Sequence, residues 1–527
     1  MERLTLWFCI AGLGSLTVAC ADQKAAPAST PGAETSAADS PASGAAGASG
    51  AKAEGKAQPS PASPSPPAPS KAAGSPSAAP GLTPLTANPS DHSGALRWSH
   101  SLGSPGTDAA RDVAIGPSGD VAVVGYHASG VVTATGAPIP AQALDAFASW
   151  YTDSGELRHQ LHFGGVGEDV ANAVAFTPSG HLVLAGLFSD EMSVGDIRLR
   201  ATGSDDIFVA QFDPKGDTEW AFSLGGLDSD GANDVAVAAD GAIYITGSFK
   251  DTMKVADDPL ESAGNEDIFV LKLTPQGHLA WIQRFGHRGR DFGQRLAIDG
   301  AGHIVLLAEF TDEVTIGGDT LTSEGNRDLA VAKLTSAGEI VWSRRFGSPF
   351  NEFGLGLAVD PAGNIALTGS FDNQIDFGGG KLTSAGESDI FVAKLDADGA
   401  HLWSKRFGGA REDIGYGVAA DRYGNLAVTG WFWNTLDVGG TELRAEGVNK
   451  DIFLLKLSAA GDSLWAHRFG GPDHDQGRGV AMGADGDVAI TGIFRFGLDL
   501  GEQQLESVRE ADDKAPPPDI FTAVFSR

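Results

Sequence analysis

Acidic side chains that recur once in each of seven repeats are the strongest chemical pattern in the chain. The first set is Asp108, Asp169, Asp230, Asp291, Glu352, Asp413 and Asp475. The second set is Asp145, Asp206, Asp267, Asp328, Asp389, Asp451 and Asp519. Carboxylates gathered in this way can bind Ca²⁺ together with carbonyl oxygens. They can also accept backbone N–H hydrogen bonds and fix loops, and both interpretations stay open.

A repeat of 61 residues sets this spacing and runs seven times through the chain. The residues that open its copies are Trp98, His159, Trp220, Trp281, Trp342, Trp403 and Trp465. The steps between them are 61 residues, with 62 in the last. A fixed period of this length indicates one supersecondary unit that buries its faces against its neighbours.

Each repeat is predicted to contain four short antiparallel strands. In the copy from Trp403 to Trp465, they begin near Trp403, Val418, Leu426 and Asp451, with a loop of 15–20 residues before the last. Glycines mark the tight turns of the repeats, at positions 119, 180, 241, 302, 363, 424 and 486, and at 155, 216, 277, 338, 399 and 461. Seven such units predict an all-β fold, a seven-bladed β-propeller.

The two ends of the repeat region are expected to close this ring. The region opens with a tryptophan strand and ends on a third strand, so Leu96–Leu102 should pair antiparallel with Ile520–Phe525. This pairing would remove an open sheet edge. Because strand direction alternates, both acidic sets should lie on one face of the disc.

The repeat resembles a known bacterial family. Its pattern W-S-x-R-F-G-G, G-V-A-V-D-x-x-G-N, A-L-T-G-S-F and D-I-F-V-A-K-L-D-x-D-G is similar to the SBBP β-propeller repeats, from about Gly94 to Arg527. The resemblance implies the propeller fold in an extracellular or surface protein. It implies no particular activity.

Ligand contacts are expected where the repeats differ from one another. One varied slot, predicted to line the central channel, holds Arg111, Asn172, Asn233, Gln294, Leu355, Tyr416 and Arg478. Arg111, Tyr416 and Arg478 are its candidate ligand contacts. Trp431 and Trp433 break the repeat pattern as well. They could stack on a sugar or hold a peptide, and local packing is the alternative.

Catalytic signatures are missing from the sequence. It contains no HExxH, G-x-S-x-G, Walker A or CxxC motif. His159 and His162 are predicted to be surface or packing residues, and His287 and His474 to lie in loops near acids. A hydrolase or lyase that uses two face carboxylates, with Ca²⁺, is the enzymatic alternative, and needs two acids about 5–10 Å apart.

Charge and cysteine content narrow the class of protein. The chain has 68 acidic and 37 basic residues, a net charge of −31. Such a body repels phosphate backbones, so nucleic-acid binding is not expected. Cys9 and Cys20 are the only cysteines, so the repeats can form no disulfide.

The N-terminal region predicts export. Leu4–Val18 has the length of a signal-peptide apolar segment, and LTVAC at 16–20 resembles a bacterial lipobox. That resemblance implies acylation of Cys20 and anchoring at the outer membrane. Cleavage at an A-x-A site, giving a soluble periplasmic or secreted protein, is the alternative. Residues 21–93, rich in Ala, Pro, Ser and Gly, are predicted to be a disordered tether.

The predicted organisation is a signal peptide at 1–20, a tether at 21–93 and a propeller at 94–527. We expect a monomeric, lipid-anchored, non-enzymatic binding or scaffold protein. Its acidic face would meet a protein or a polysaccharide of the cell envelope.

Overall fold

The computed structural model of the protein describes residues 94–128, 131–132, 138–139, 143–255, 259–447, 449–508 and 516–527. These residues form seven antiparallel four-stranded sheets, and no helix occurs among them. Each innermost strand contacts the innermost strands of both neighbouring sheets, and the last contacts the first. The predicted seven-bladed β-propeller is therefore confirmed. The signal segment, Cys20 and the predicted tether lie outside the described residues.

The inner half of every blade consists of two strands joined by a tight turn. The innermost strands of blades 1 to 7 are Asp108–Ile115, Asp169–Phe176, Gly231–Val237, Asp291–Ile298, Glu352–Val359, Asp413–Ala420 and Gln476–Met482. The second strands are Val121–Ala128, Leu182–Phe188, Ile243–Met253, Ile304–Phe310, Ile365–Asp376, Leu426–Trp433 and Val488–Phe494.

The outer half of every blade holds the other two strands. The third strands are Leu144–Tyr151, Asp206–Phe212, Leu260–Leu273, Asp328–Leu334, Lys381–Leu395, Lys450–Leu457 and Asp519–Phe525. The outermost strands are Leu157–Gly165, Thr218–Leu224, Leu279–Phe285, Ile340–Phe346, His401–Phe407, Ser463–Phe469 and Leu96–Leu102. Both predicted families of turn glycines have positive φ angles, between 76° and 91°, which explains why glycine recurs there.

The first and last segments close the ring as expected. Leu96–Leu102 forms the outermost strand of blade 7 and pairs antiparallel with the third strand, from Leu96 opposite Phe525 to Leu102 opposite Ile520. Blade 7 is thus built from both ends of the described chain. The pairing leaves no unpaired third strand at this blade.

The outer tryptophans connect neighbouring blades. Trp98 and Trp403 donate from the indole N–H to the carbonyls of Asp153 and Ala459, each in a turn of the next blade, at 2.9 and 3.0 Å. Glycines in those turns lie against the indole rings, where a Cβ would not fit. His159 fills the tryptophan slot in blade 1 and makes the equivalent contact with the Pro214 carbonyl at 3.2 Å.

The predicted long loop contains a small hairpin. Its strands are Val131–Val132 with Pro138–Ile139, Glu191–Val194 with Ile197–Arg200, Glu313–Ile316 with Asp319–Thr322, Thr435–Asp437 with Glu442–Arg444, and Gly497–Asp499 with Gln504–Glu506. In blades 3 and 5 the same segment continues the second and third strands. The hairpins of blades 2, 6 and 7 pair with the end of the preceding outermost strand, so they fasten one blade to the next.

Candidate functional site

The first acidic ring lies where each innermost strand begins, and its carboxyls are buried. Every member accepts the backbone N–H of the residue four positions earlier. Asp413 also accepts the Trp433 N–H at 3.0 Å, and its bond to the Gly409 N–H is 2.6 Å. The ring therefore fixes the loop that enters a blade to the end of that blade's second strand.

Burial changes the protonation of this ring. It raises the pKa of Asp108, Asp230 and Asp413 to about 7. It raises the pKa of Asp169, Asp291 and Glu352 to about 8, and that of Asp475 well above its usual range. Loss of hydration disfavours the charged form of a carboxyl. Near neutral pH the ring is thus partly protonated, which limits repulsion between its members.

The second acidic ring lies at the start of the third strands. Its members are buried, and from Asp206 to Asp519 each accepts a backbone N–H. In blades 3 to 6 an arginine of the outermost strand also binds the carboxylate, as Arg468 binds Asp451 at 2.7 Å. A glycine directly follows each of these outermost strands, and a Cβ there would collide with the carboxyl group.

Both rings lie on one face of the propeller, as the alternation of strands predicts. In blade 6, Asp413 lies opposite Phe432, and Phe432 lies opposite Asp451 on the next strand. Each first-ring carboxyl is also close enough to a second-ring carboxyl of the preceding blade to raise a pKa. We call this side of the disc the acidic face.

The ring carboxyls are buried, and eight of the fourteen keep one oxygen without a hydrogen-bond partner in the described part of the chain. The described residues contain no group of three or more His, Cys, Asp or Glu side chains arranged to hold a metal ion. Ca²⁺ at the first ring stays a prediction, which a calcium-dependent rise in melting temperature would test.

The varied slot proves to be a β-bulge in every innermost strand. Pairing with the second strand shifts register at this residue in all seven blades, so Arg111 lies between the paired residues Ala110 and Asp112. An unpaired bulge residue is freed from the strand's alternation and can be aimed separately. Each blade thus has one side chain near the axis whose direction is not set by the alternation of the strand.

The bulges bring Arg111, Tyr416 and Arg478 together. Burial lowers the pKa of the Arg111 guanidinium, and the charges of Arg478 and Arg295 lower it further, while Tyr126 and Tyr416 oppose this. The Arg111 guanidinium lies over the Tyr126 ring, 5.3 Å from its centroid. Three of the predicted ligand contacts therefore share one location at the axis.

Two other bulge residues connect blades instead. Asn172 and Asn233 donate to the carbonyls of Ala232 and Gly293 in the following blades, at 2.9 and 3.0 Å. Arg295, the residue after the bulge residue Gln294, donates to the Leu355 carbonyl at 2.9 Å. One side of the axis is thus held by side-chain bonds. The side formed by blades 5 to 7 has glycines at 356, 417 and 479, which face neighbouring backbone closely.

Trp431 and Trp433 lie on the acidic face but in different surroundings. Trp431 is fully buried, and the Lys450 ammonium lies 3.4 Å from its ring centroid. Trp433 is half-buried and meets His474 edge-on at 5.3 Å between centroids. Trp431 therefore packs inside the blade, and Trp433 is the member of the pair that reaches the surface.

A pair of histidines in blade 1, His127 buried and His162 half-buried, has no counterpart in the described residues of the other blades. His127 replaces the phenylalanine found between the rings elsewhere, such as Phe432, and His162 replaces the arginine. His127 Nε2 and His162 Nδ1 are 3.0 Å apart, and burial lowers the pKa of both to about 4. His162 alone was evident in the sequence. Comparing the phenylalanine slot across repeats would have revealed His127.

No protein-family model matches the chain. An uncharacterised WD repeat-containing protein of Acanthamoeba polyphaga mimivirus is 22% identical over 400 residues, which cover 60% of this chain and 28% of that protein. The regulatory protein FlaEY of Caulobacter vibrioides is 28% identical over 211 residues, which cover 38% of this chain and 22% of that protein. The chain spans about a quarter of the length of these curated relatives.

In two solved structures, among others, the polypeptide chain follows a similar course. Hydrazine synthase of Kuenenia stuttgartiensis has a TM-score of 0.42 and 13% identity, covering 78% of this chain and 97% of that one. The WD40 β-propeller domain of Doa1 has a TM-score of 0.37 and 12% identity, covering 82% and 97%.

Proposed function

We propose that the chain is a non-enzymatic binding protein of the cell envelope whose acidic face contacts a protein partner. The observation that supports this most directly is a pair of exposed aliphatic residues on that face. Val166 and Leu227, in the loops that enter blades 2 and 3, are 64% and 77% exposed. Large apolar side chains surrounded by charged groups are typical of the centre of a protein interface.

The position of these residues separates them from ordinary exposed side chains. Leu279, Leu402 and Leu464 are also exposed, but they lie on outermost strands around the perimeter. Val166 and Leu227 occupy equivalent positions in adjacent loops, three residues before Asp169 and Asp230. An aliphatic contact favours a protein partner over a polysaccharide, which aromatic rings usually hold.

The net charge of the chain indicates what the partner offers. With a net charge of −31 the chain attracts basic surfaces and speeds their approach. We therefore expect a partner with an apolar contact surrounded by lysine or arginine. Trp433 adds an aromatic contact on the same face.

Two further parts of the proposal concern the cellular location of the protein and its repeat family. Acylation of Cys20 and a tether over 21–93 would hold the propeller at the outer membrane and let it reach neighbouring proteins. The repeat motifs support membership of the SBBP family. Mass spectrometry of the mature N-terminus tests the anchor directly, since a diacylglycerol-modified Cys20 is expected and an unmodified end would refute it.

A photo-crosslinking experiment tests the binding face. A crosslinker placed at Leu227 should capture a discrete envelope protein, and capture should weaken as salt is raised. Leu227→Ser and Trp433→Ala should reduce recovery of that protein, whereas the perimeter variant Leu402→Ser should not. Equal recovery in all three variants would refute the proposed face.

A further inference from the structure

Two arginines at the axis, Arg478 buried and Arg111 half-buried, have no carboxylate partner among the described residues. Arg111 and Arg478 come from the bulges of blades 1 and 7, which are neighbours in the ring. Arg478 is only 8% exposed. Its Nε and Nη1 atoms, and Nε of Arg111, are buried without a hydrogen-bond acceptor in this part of the structure.

Their surroundings offset little of this charge. Within the described residues neither arginine forms an ion pair. The Arg111 guanidinium lies over the Tyr126 ring, and Arg478 donates a long bond of 3.3 Å to Gln476. Arginine stays charged at every relevant pH. A buried charge without a counter-charge is strongly unfavourable, and two such charges side by side add their repulsion.

Arg295, at the same axis, is an arginine whose charge is compensated by acceptors and nearby carboxylates. It donates to the Leu355 carbonyl at 2.9 Å and the Asn233 carbonyl at 3.2 Å. Asp112 and Asp234 lie close enough for its charge to counteract the rise in their pKa that burial causes. Arg111 and Arg478 have no equivalent carbonyl or carboxylate acceptors among the described residues, so their free donors suit an anion rather than a structural link.

We infer that the axis binds a carboxylate group between Arg111 and Arg478, with the Tyr416 hydroxyl as a further donor. Charge-assisted hydrogen bonds from guanidinium N–H groups to carboxylates are strong, and each of the two arginines keeps at least one unused donor for them. The net negative charge of the chain favours the anion of lowest charge, which is why a carboxylate is expected rather than a phosphate. The group belongs either to a small organic acid or to an acidic residue or C-terminus of a protein.

This inference deepens the proposed function and depends on it only for the second of these sources. Isothermal titration of the full chain with acetate and with succinate tests the site itself. Saturable binding to the wild type is expected, about tenfold or more weaker for Arg478→Gln and for Arg111→Gln. Arg422→Gln, at an exposed turn residue, should leave binding unchanged.

Ligand-free stability separates a binding role from a structural one. Because Arg478→Gln removes an uncompensated charge, we expect its melting temperature to equal or exceed that of the wild type. A lower melting temperature would mean that the arginine supports the fold, and would overturn the inference. Arg111→Gln repeats the comparison at the arginine of the neighbouring blade, with the same expectation.

Further titrations with peptides, succinate and phosphate identify the source of the carboxylate and the anion that the site prefers. A peptide with a free C-terminal carboxylate that binds far more tightly than its amidated form points to a protein source, whereas equal or tighter binding of succinate points to a small acid. Preference for phosphate, or no binding of any carboxylate, refutes the inference. If carboxylates fail to bind while Leu227 still captures its envelope partner, only the axial site is wrong.

Discussion

Asp413 and Tyr416 lie three residues apart on the same innermost strand but belong to different classes of position. Asp413 has an equivalent acid in all seven blades, and each of these acids is buried and bonded to backbone N–H groups. Tyr416 occupies the bulge, where the seven blades carry five different residue types. The repeated acid fixes the loop that enters its blade in every copy. The varied bulge residues differ in role, since Asn172 and Asn233 connect blades whereas Tyr416 lies near Arg111 at the axis.

The first test of this contrast adds a methyl group at a position that is glycine in every blade. A Cβ at Gly408 would collide with the carboxyl of Asp389, so Gly408→Ala should destabilise the protein by about 3 kcal/mol. Denaturant unfolding measures the change. Gly300→Ala is the matched control, because a Cβ there meets nothing within 4 Å. An equal effect of the two substitutions would contradict the structural role of the ring.

The second test compares both kinds of position on one strand. Asp413→Ala leaves the Gly409 and Trp433 N–H groups without their acceptor and should cost about 2 kcal/mol. Tyr416→Phe removes only an axial hydroxyl and should change stability by less than about 0.5 kcal/mol. Thermal and denaturant unfolding would measure both. If Tyr416→Phe were the more harmful, the contrast between repeated and varied positions would fail.

The third test uses pH. The pKa of Asp291 is about 8 in the folded protein because of burial, and lies near 4 when the chain is unfolded. The folded state therefore retains a proton that the unfolded chain releases, and stability falls as pH rises from about 4 to about 8. Asp291→Asn should make this decline shallower, by at most about 1.4 kcal/mol per pH unit. An unchanged slope would show that Asp291 does not titrate in this range.

The smallest expected effect concerns the varied residues of blade 6. Lys450→Gln removes the ammonium from the face of Trp431 and its 3.7 Å ion pair with Glu412, and should cost about 1 kcal/mol. The matched control Lys405→Gln breaks an exposed 3.8 Å pair with Asp462 and should have almost no effect. Unfolding curves of both variants provide the comparison. A neutral Lys450→Gln would mean that Trp431 is held by apolar packing alone.

Much of the fold could be predicted from sequence because every blade repeats the same physical solution. Seven copies of the Trp, Gly and Asp positions determine the number of blades, the turns and the shared face of the acids. Ring closure by Leu96–Leu102 followed from the order of strands at the two ends, since a third strand without a fourth leaves an open edge.

The hairpins, the bulges and the burial of some side chains could not be predicted, because they depend on contacts that the repeat pattern does not show. The hairpins, such as Glu191–Val194 with Ile197–Arg200, are too short for a periodic signal, and contacts with the preceding blade help hold them. The bulge at Arg111 is invisible because an unpaired residue has no sequence mark of its own. The loss of water around Trp431 and Arg478 depends on neighbouring blades, so their burial could not be read from one repeat.

Ring closure by Leu96–Leu102 also affects self-association. The contact that completes blade 7 joins segments far apart in the chain, and the same pairing can form between two molecules when one donates its first strand to the other's last blade. Reciprocal donation between two molecules would close a dimer, whereas donation in one direction would continue from molecule to molecule and produce linear polymers. Concentrated or partly unfolded samples are where this exchange would appear first.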